Sequence, residues 1–379
     1  WQRLRTPLNR HLTKVDSAEH YLDSQNSVAE EFAKILSSGP RSAKEIQDWF
    51  FKYSTECVGL VCLNTRLGLM DPQVPVDSAA LVFLEDSKNI FLQIANVLNG
   101  KSIMHDYYLN KTYREYERSN SFVRSYIKSR LRRAKTNLDR QSNPKRDDRE
   151  KPTGVINKRT CFRLPRRRKH DDDTLRCWHG VATNLQTFCY ELASNPEKQE
   201  KLYEEIVAVL GKNGPVTREK LRRMPYLKAC LKESFRMRYP YLTGPARLLP
   251  NDAVIRGFRI PAKTQILPCN SYTCQTIFPD ADKFLPERWL RSETDRKLSH
   301  EIPRLACLPF GFGARNCIGR RFAEQQIFLA VIKTVQKCRI KLRPGSSDVV
   351  FRYSIFIEPA EPIKFEFEPR EHQKAMEEI

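Results

Sequence analysis

The chain has 379 residues, with 66 Lys and Arg against 45 Asp and Glu and a formal net charge of +21 at pH 7. That length allows roughly two to three domains or one large one, and no stretch reaches the roughly eighteen uninterrupted apolar residues of a membrane-spanning helix. The eleven cysteines are odd in number and none falls in a CxxC pair, which argues against a disulfide framework or structural zinc and for a reducing compartment.

The sequence starts at Trp1 rather than at methionine, so a natural N-terminal segment, with any targeting peptide, is expected to be missing. From there to about Leu131 the pattern is mainly helical. Apolar residues recur at three and four in Val28-Ala29-Phe32-Ile35-Leu36 and in Ile46-Trp49-Phe50-Tyr53, the spacing of several packed helices. Arg132–Lys169 then holds 15 Lys and Arg against 4 Asp and Glu, about half of the whole excess, together with Pro144, Pro152 and Pro165. Poor in large apolar residues, it reads as a disordered linker or insert. This divides the chain into a helical part at 1–135, a basic segment at 136–173 and a C-terminal part at 174–379.

Two helices are expected next, Asn184–Leu192 and Glu197–Leu210, broken at Ser194-Asn195-Pro196. A third, Thr217–Arg238, is interrupted at Pro225 and ends before Pro240. Short β-like runs follow at Ala246–Leu249, Val254-Ile255, Phe258–Ile260 and Gln265–Leu267, punctuated by Pro and Gly. A last helix over Arg321–Val335 precedes β-like runs near Arg339–Leu342, Tyr353–Ile357 and Ile363–Phe367. The fold class is mainly α with small β-sheets.

The most specific segment is Phe310-Gly311-Phe312-Gly313-Ala314-Arg315-Asn316-Cys317-Ile318-Gly319. Its glycines permit a tight turn and close approach to a flat ligand. The helix expected just beyond would favour a thiolate at Cys317 through its dipole and open N–H groups. The string resembles the cysteine-ligand loop of cytochromes P450, matching FxxGxRxCxG at Phe310, Gly313, Arg315, Cys317 and Gly319. The resemblance covers nearly the whole chain apart from the basic segment. It implies an incomplete P450-like fold, haem b as cofactor and Cys317 as axial ligand of the haem iron.

Other motifs appear in the order this family has them. Glu233 and Arg236, three apart on one helix face, resemble its ExxR pair, and Pro286-Glu287-Arg288-Trp289 resembles its second arginine segment. The implied role of Glu233, Arg236 and Arg288 is a buried structural network. Trp1 and Arg5 look like the family's WxxxR, and Arg247 and Arg315 match its other partners for the haem propionates. Lys228 and Lys232, four apart, face about 90° away from Glu233 and Arg236 at ~100° per residue. With Arg320 and Arg321 they are similar to the surface by which mitochondrial P450s dock an acidic adrenodoxin-type ferredoxin.

That class implies insertion of one oxygen atom from O2 into an apolar, sterol-like substrate. It also implies a ferredoxin with its reductase, peripheral membrane association and a place on the matrix side of the mitochondrial inner membrane. Nucleic acid, the other partner the basic charge suggests, is not expected, because neither zinc-finger spacing nor an RNA-recognition aromatic motif is present.

One region departs from the family. Its central helix carries an acid/threonine pair that delivers protons to the reacting oxygen. Here His179-Gly180-Val181-Ala182-Thr183 keeps Thr183 but puts Ala182 at the acid position. Counted back from Tyr190-Glu191-Leu192-Ala193, His179 would occupy the acid position and Gly180 that of the threonine. Neither register restores the pair, so the alternative is a catalytically impaired relative or a mispredicted gene product. A transcript read across Asp139–Asn184 separates these.

Overall fold

The computed structural model describes residues 5–6, 9, 12–14, 16–75, 78–98, 110–141, 177–242, 246–290, 305–346 and 348–370. The chain forms two compact units: residues 1–224, 318–348 and 362–379 make the first, and 225–317 with 349–361 make the second.

The first unit is helical. It contains α1 (Leu22–Ser37), α2 (Ala43–Leu63), α3 (Ala79–Leu98), α4 (Lys111–Gln141), α5 (Cys177–Ser194), α6 (Pro196–Leu210) and α7 (Arg218–Arg222). The apolar spacing of α1 and α2 turns Val28, Phe32, Ile46, Phe50 and Tyr53 into the core, where Phe32 stacks on Tyr53 at 4.7 Å. Ser42 opens α2 with a capping box, accepting from the Glu45 amide while Glu45 accepts from the Ser42 amide.

The chain returns to the first unit near its end with α10 (Arg320–Lys337) and β5 (Cys338–Leu342). Helix α10 packs on α1 and α5, and the buried Tyr53 hydroxyl donates to the Gln326 carbonyl at 2.8 Å. Strand β5 pairs antiparallel with β8 (Phe365–Pro369), and Gln199 of α6 bonds both the amide and the carbonyl of Ile340. The buried carboxylate of Glu56 folds the loop after α2 back onto the helix. It accepts from the amides of Leu67 and Leu69 at 2.8 and 2.9 Å and from Arg66 at 2.7 Å.

The second unit holds α8 (Pro225–Met237), α9 (Asn270–Thr276) and three antiparallel pairs. These pairs are β1 (Arg247–Leu248) with β4 (Gln265–Ile266), β2 (Ala253–Ile255) with β3 (Phe258–Ile260), and β6 (Phe351–Tyr353) with β7 (Ile357–Pro359). Arg256 and Gly257, both at positive φ, make the turn between β2 and β3.

Three expectations need correction. The helical pattern does not stop near Leu131: α4 runs to Gln141, because residues 132–141 contain no Pro or Gly and are rich in helix-forming Arg, Lys and Leu. Helix α5 begins at Cys177, seven residues before the expected Asn184, and so includes Gly180. The run Tyr353–Ile357 is two strands joined by a turn, with Tyr353 paired to Ile357. A short apolar run does not reveal a reversal inside it. The remainder of the basic segment, residues 142–173, lies outside the described residues.

Candidate functional site

Helix α8 carries the organising cluster of the second unit. Three residues apart, Glu233 and Arg236 share a face and are almost wholly buried, at 0% and 1% exposure. Arg236 grips the carboxylate with two parallel bonds, Nε to Oε2 at 3.0 Å and Nη2 to Oε1 at 2.9 Å. Its other donors reach the carbonyls of Cys274, Ala281 and Lys283. Arg288, in the short 3₁₀ turn Pro286–Trp289, donates from Nε to Glu233 Oε1 at 3.0 Å and to the carbonyls of Pro279 and Asp280.

The Leu285 amide and the indole of Trp289 complete the shell of the Glu233 carboxylate, at 3.0 and 2.7 Å. One carboxylate thus accepts five bonds. Five backbone carbonyls accept further guanidinium donors, which is how two arginines and one glutamate survive in the interior. The sequence pointed to Glu233, Arg236 and Arg288 together. It did not assign a role to Trp289, although the residue stands in the same quoted tetrapeptide.

The Cys317 loop lies in the same unit and is held to α8 by Phe310, whose ring meets Phe235 edge-on at 5.4 Å. The loop closes on itself. Cys317 N–H donates to the Phe310 carbonyl at 2.7 Å, Gly311 N–H to Leu308 at 2.8 Å, and Asn316 N–H to Gly313 at 3.0 Å across the turn Gly313–Arg315. Gly311 and Gly313 sit at φ +72 and +73, where a side chain is strained. Gly319, at φ −86, has an ordinary conformation, so its glycine is not required by the backbone angle. The Cys317 thiol is half-buried and Arg315 is exposed.

This geometry suits a metal centre that brings its own ring of ligands. Cys317 supplies one sulfur, presented by a turn whose glycines at positive φ let a flat ring come close. The donor set and the turn that presents it therefore fit haem.

The other expected residues are more scattered. Trp1 lies outside the described residues, whereas Arg5 is described and donates to Asn9 at 2.6 Å. Arg247 is an exposed residue of β1. On α8, Lys232 is exposed with its ammonium 5.7 Å from the centre of the Trp289 ring, and Lys228 is half-buried. Arg320 and Arg321 open α10 in the other unit and both approach Glu324, at 2.9 and 3.8 Å, so part of their charge is already neutralised.

In α5, Thr183 is 2% exposed and its hydroxyl donates back to the carbonyls of His179 and Gly180 at 3.1 and 3.2 Å. Ala182 is fully buried. His179 packs on Phe91 at 4.6 Å and Phe51 at 5.1 Å. Burial, and secondarily the charge of Lys88, pushes its pKa down to about 3, so the imidazole is neutral near pH 7.

A sequence profile described as "Cytochrome P450" matches residues 1–161 and 177–367. "Probable cytochrome P450 49a1" of Drosophila melanogaster is 27% identical over 98% of this chain and 64% of its own length. "Cytochrome P450 CYP12A2" of Musca domestica is 30% identical over 97% and 71%, and "Sterol 26-hydroxylase, mitochondrial" of Rattus norvegicus 25% over 98% and 71%. The chain thus spans about two thirds of the length of these relatives. On the extent of that match, the chain belongs to the cytochrome P450 family.

Proposed function

We propose that this chain is the greater part of a haem-thiolate monooxygenase that inserts one oxygen atom of O2 into an apolar, sterol-like substrate, with electrons delivered by an adrenodoxin-type ferredoxin. The observation that carries this reading is the closed Cys317 loop, anchored through Phe310 to the helix that bears the buried Glu233 network. Haem b, when bound, supplies the oxygen-activating chemistry.

The chain's own residues then have distinct tasks. Cys317 offers the sulfur ligand, and Gly313 and Gly319 belong to the turn that presents it. Trp1, Arg5, Arg247 and Arg315 are assigned to the anionic propionates by their match to the family. Glu233, Arg236 and Arg288 hold the unit rigid and take no part in the reaction. Lys228 and Lys232, with Arg320 and Arg321, are assigned to the acidic ferredoxin, whose approach basic side chains accelerate. Relatives named as mitochondrial support a mitochondrial location, and a place on the matrix side of the inner membrane is proposed from the resemblance to the ferredoxin-dependent class alone. Peripheral membrane association is proposed from the resemblance to the mitochondrial class; among the described residues no helix is long and apolar enough to cross a membrane.

A second reading has its own support in α5. The Thr183 hydroxyl is committed to two carbonyls of its own helix, Ala182 carries no acid and His179 is held neutral. This combination favours a relative that binds haem yet moves protons poorly.

A reduced carbon monoxide difference spectrum of the full chain tests the first step. The red-shifted thiolate band is expected, and its disappearance in Cys317→Ser is required. Without the band in the parent protein the enzyme reading fails. With the band, substrate-dependent oxygen uptake driven by ferredoxin separates the active enzyme from the impaired one.

A further inference from the structure

We infer that the hairpin of β2 and β3 is a membrane-contacting wedge that seats Val254, Ile255 and Phe258 in the interface of an anionic phospholipid bilayer. Its strands are three residues each and turn through Arg256 and Gly257, at φ +48 and +83. The register pairs Val254 with Arg259 and Ile255 with Phe258, and successive side chains of a strand point to opposite faces. Val254 therefore stands on one face of the hairpin, and Ile255 with Phe258 on the other. Neither face is covered. Val254, Ile255 and Phe258 are 72%, 46% and 75% exposed, and no residue from 254 to 259 is buried. One bare apolar face calls for a groove or another sheet. Two bare faces on a two-stranded hairpin call for a medium that surrounds it, and the acyl boundary of a bilayer is such a medium.

Charge selects the lipid. Residues 247–267 contain Arg247, Arg256, Arg259 and Lys263 against Asp252 as the one carboxylate. That carboxylate is already engaged, accepting from Arg259 at 2.7 Å and from the Ala262 amide at 2.9 Å. Arg256 at the apex and Lys263 in the following turn are both exposed. A guanidinium at the apex opposes deep insertion, so strands this short lie along the interface, their apolar side chains in the acyl boundary and Arg256 reaching back to the phosphates. Cations close to a bilayer are drawn to anionic headgroups, which sets this surface apart from a contact with uncharged lipid. The inference rests on the peripheral membrane association proposed above and gives that association a place on the chain.

The test is cosedimentation of the full chain with phosphatidylcholine vesicles, with and without phosphatidylserine. The parent should bind the anionic vesicles, and less so as salt rises. Val254→Thr combined with Phe258→Thr keeps strand propensity and removes apolar surface, and it should lower the partition coefficient about tenfold. Arg256→Asn, which tolerates positive φ, should lower it about fivefold on the anionic vesicles alone. In Phe258→Trp, brominated lipid should quench emission beyond the loss seen in the parent.

Equal binding of the parent and the threonine variant, with no added quenching, overturns the inference and leaves peripheral association through another surface standing. Failure of the parent to bind either vesicle overturns both. Equal binding of the parent to the two compositions overturns the anionic recognition on which the inference depends. Emission of Phe258→Trp that is already shielded from iodide without vesicles overturns it as well, because the hairpin is then covered by protein, and by a second copy if the shielding rises with concentration.

Discussion

Acidification from pH 7 to pH 5 should weaken the first unit through one imidazole, His179. Its ring lies between Phe51 and Phe91 with Lys88 nearby, and its pKa falls from 6.5 to about 3. In the unfolded chain the ordinary value returns, so the unfolded state binds a proton that the folded state refuses. Stability is therefore complete above the unfolded pKa of 6.5 and declines as the pH drops through it. The slope is about 1.4 kcal/mol per pH unit, giving about 2 kcal/mol by pH 5 and a ceiling of about 5 kcal/mol near pH 3. Carboxylates held below their usual range, such as Glu30 beside Lys333 and Lys337, lose their contribution mainly at lower pH.

Urea titrations of the parent and of His179→Phe at pH 7, 6 and 5 isolate the effect, since phenylalanine suits an aromatic pocket and does not titrate. The parent should lose about 2 kcal/mol more than the variant between the two extremes. Parallel pH dependences would refute the reasoning. They would also reopen His179 as a charged proton donor in α5.

Removing the charge at Glu233 (Glu233→Gln), or the fork at Arg288 (Arg288→Lys), should destabilise the second unit by about 3–5 kcal/mol, read by thermal melting and by protease sensitivity of the Phe310–Cys317 loop. A variant that melts like the parent would remove the network from the account of the fold. Glu56→Gln should cost about 2–3 kcal/mol and speed hydrogen exchange at the Leu67 and Leu69 amides, with unchanged exchange as the contrary result. The double variant Lys228→Glu, Lys232→Glu should raise the KM for ferredoxin by about tenfold or more and flatten its salt dependence. Arg320→Glu should act more weakly because Glu324 already shares its charge, and equal effects would argue against that difference.

Local signals in the chain placed most elements correctly. Prolines and glycines punctuate where helices and short strands break, and Pro196 and Pro225 do open α6 and α8. The pattern failed where the decisive feature was not periodic. The advance of α4 into the basic stretch rests on propensity alone, and the reversal between β6 and β7 hides inside a short apolar run.

The site divides along the same line. The sequence by itself pointed to the Cys317 loop and to the Glu233–Arg236 pair through close spacing and residue type, and to Arg288 through the resemblance to the P450 motif order. Only the tertiary structure decided that Trp289 and the Leu285 amide share the Glu233 carboxylate. It also decided that the Thr183 hydroxyl is spent on its own helix and that His179 is sealed among rings. The reason is physical. A hydrogen-bond partner dozens of residues away is selected by packing, and so is the depth of burial that moves a pKa, and neither leaves a mark at fixed spacing in the chain.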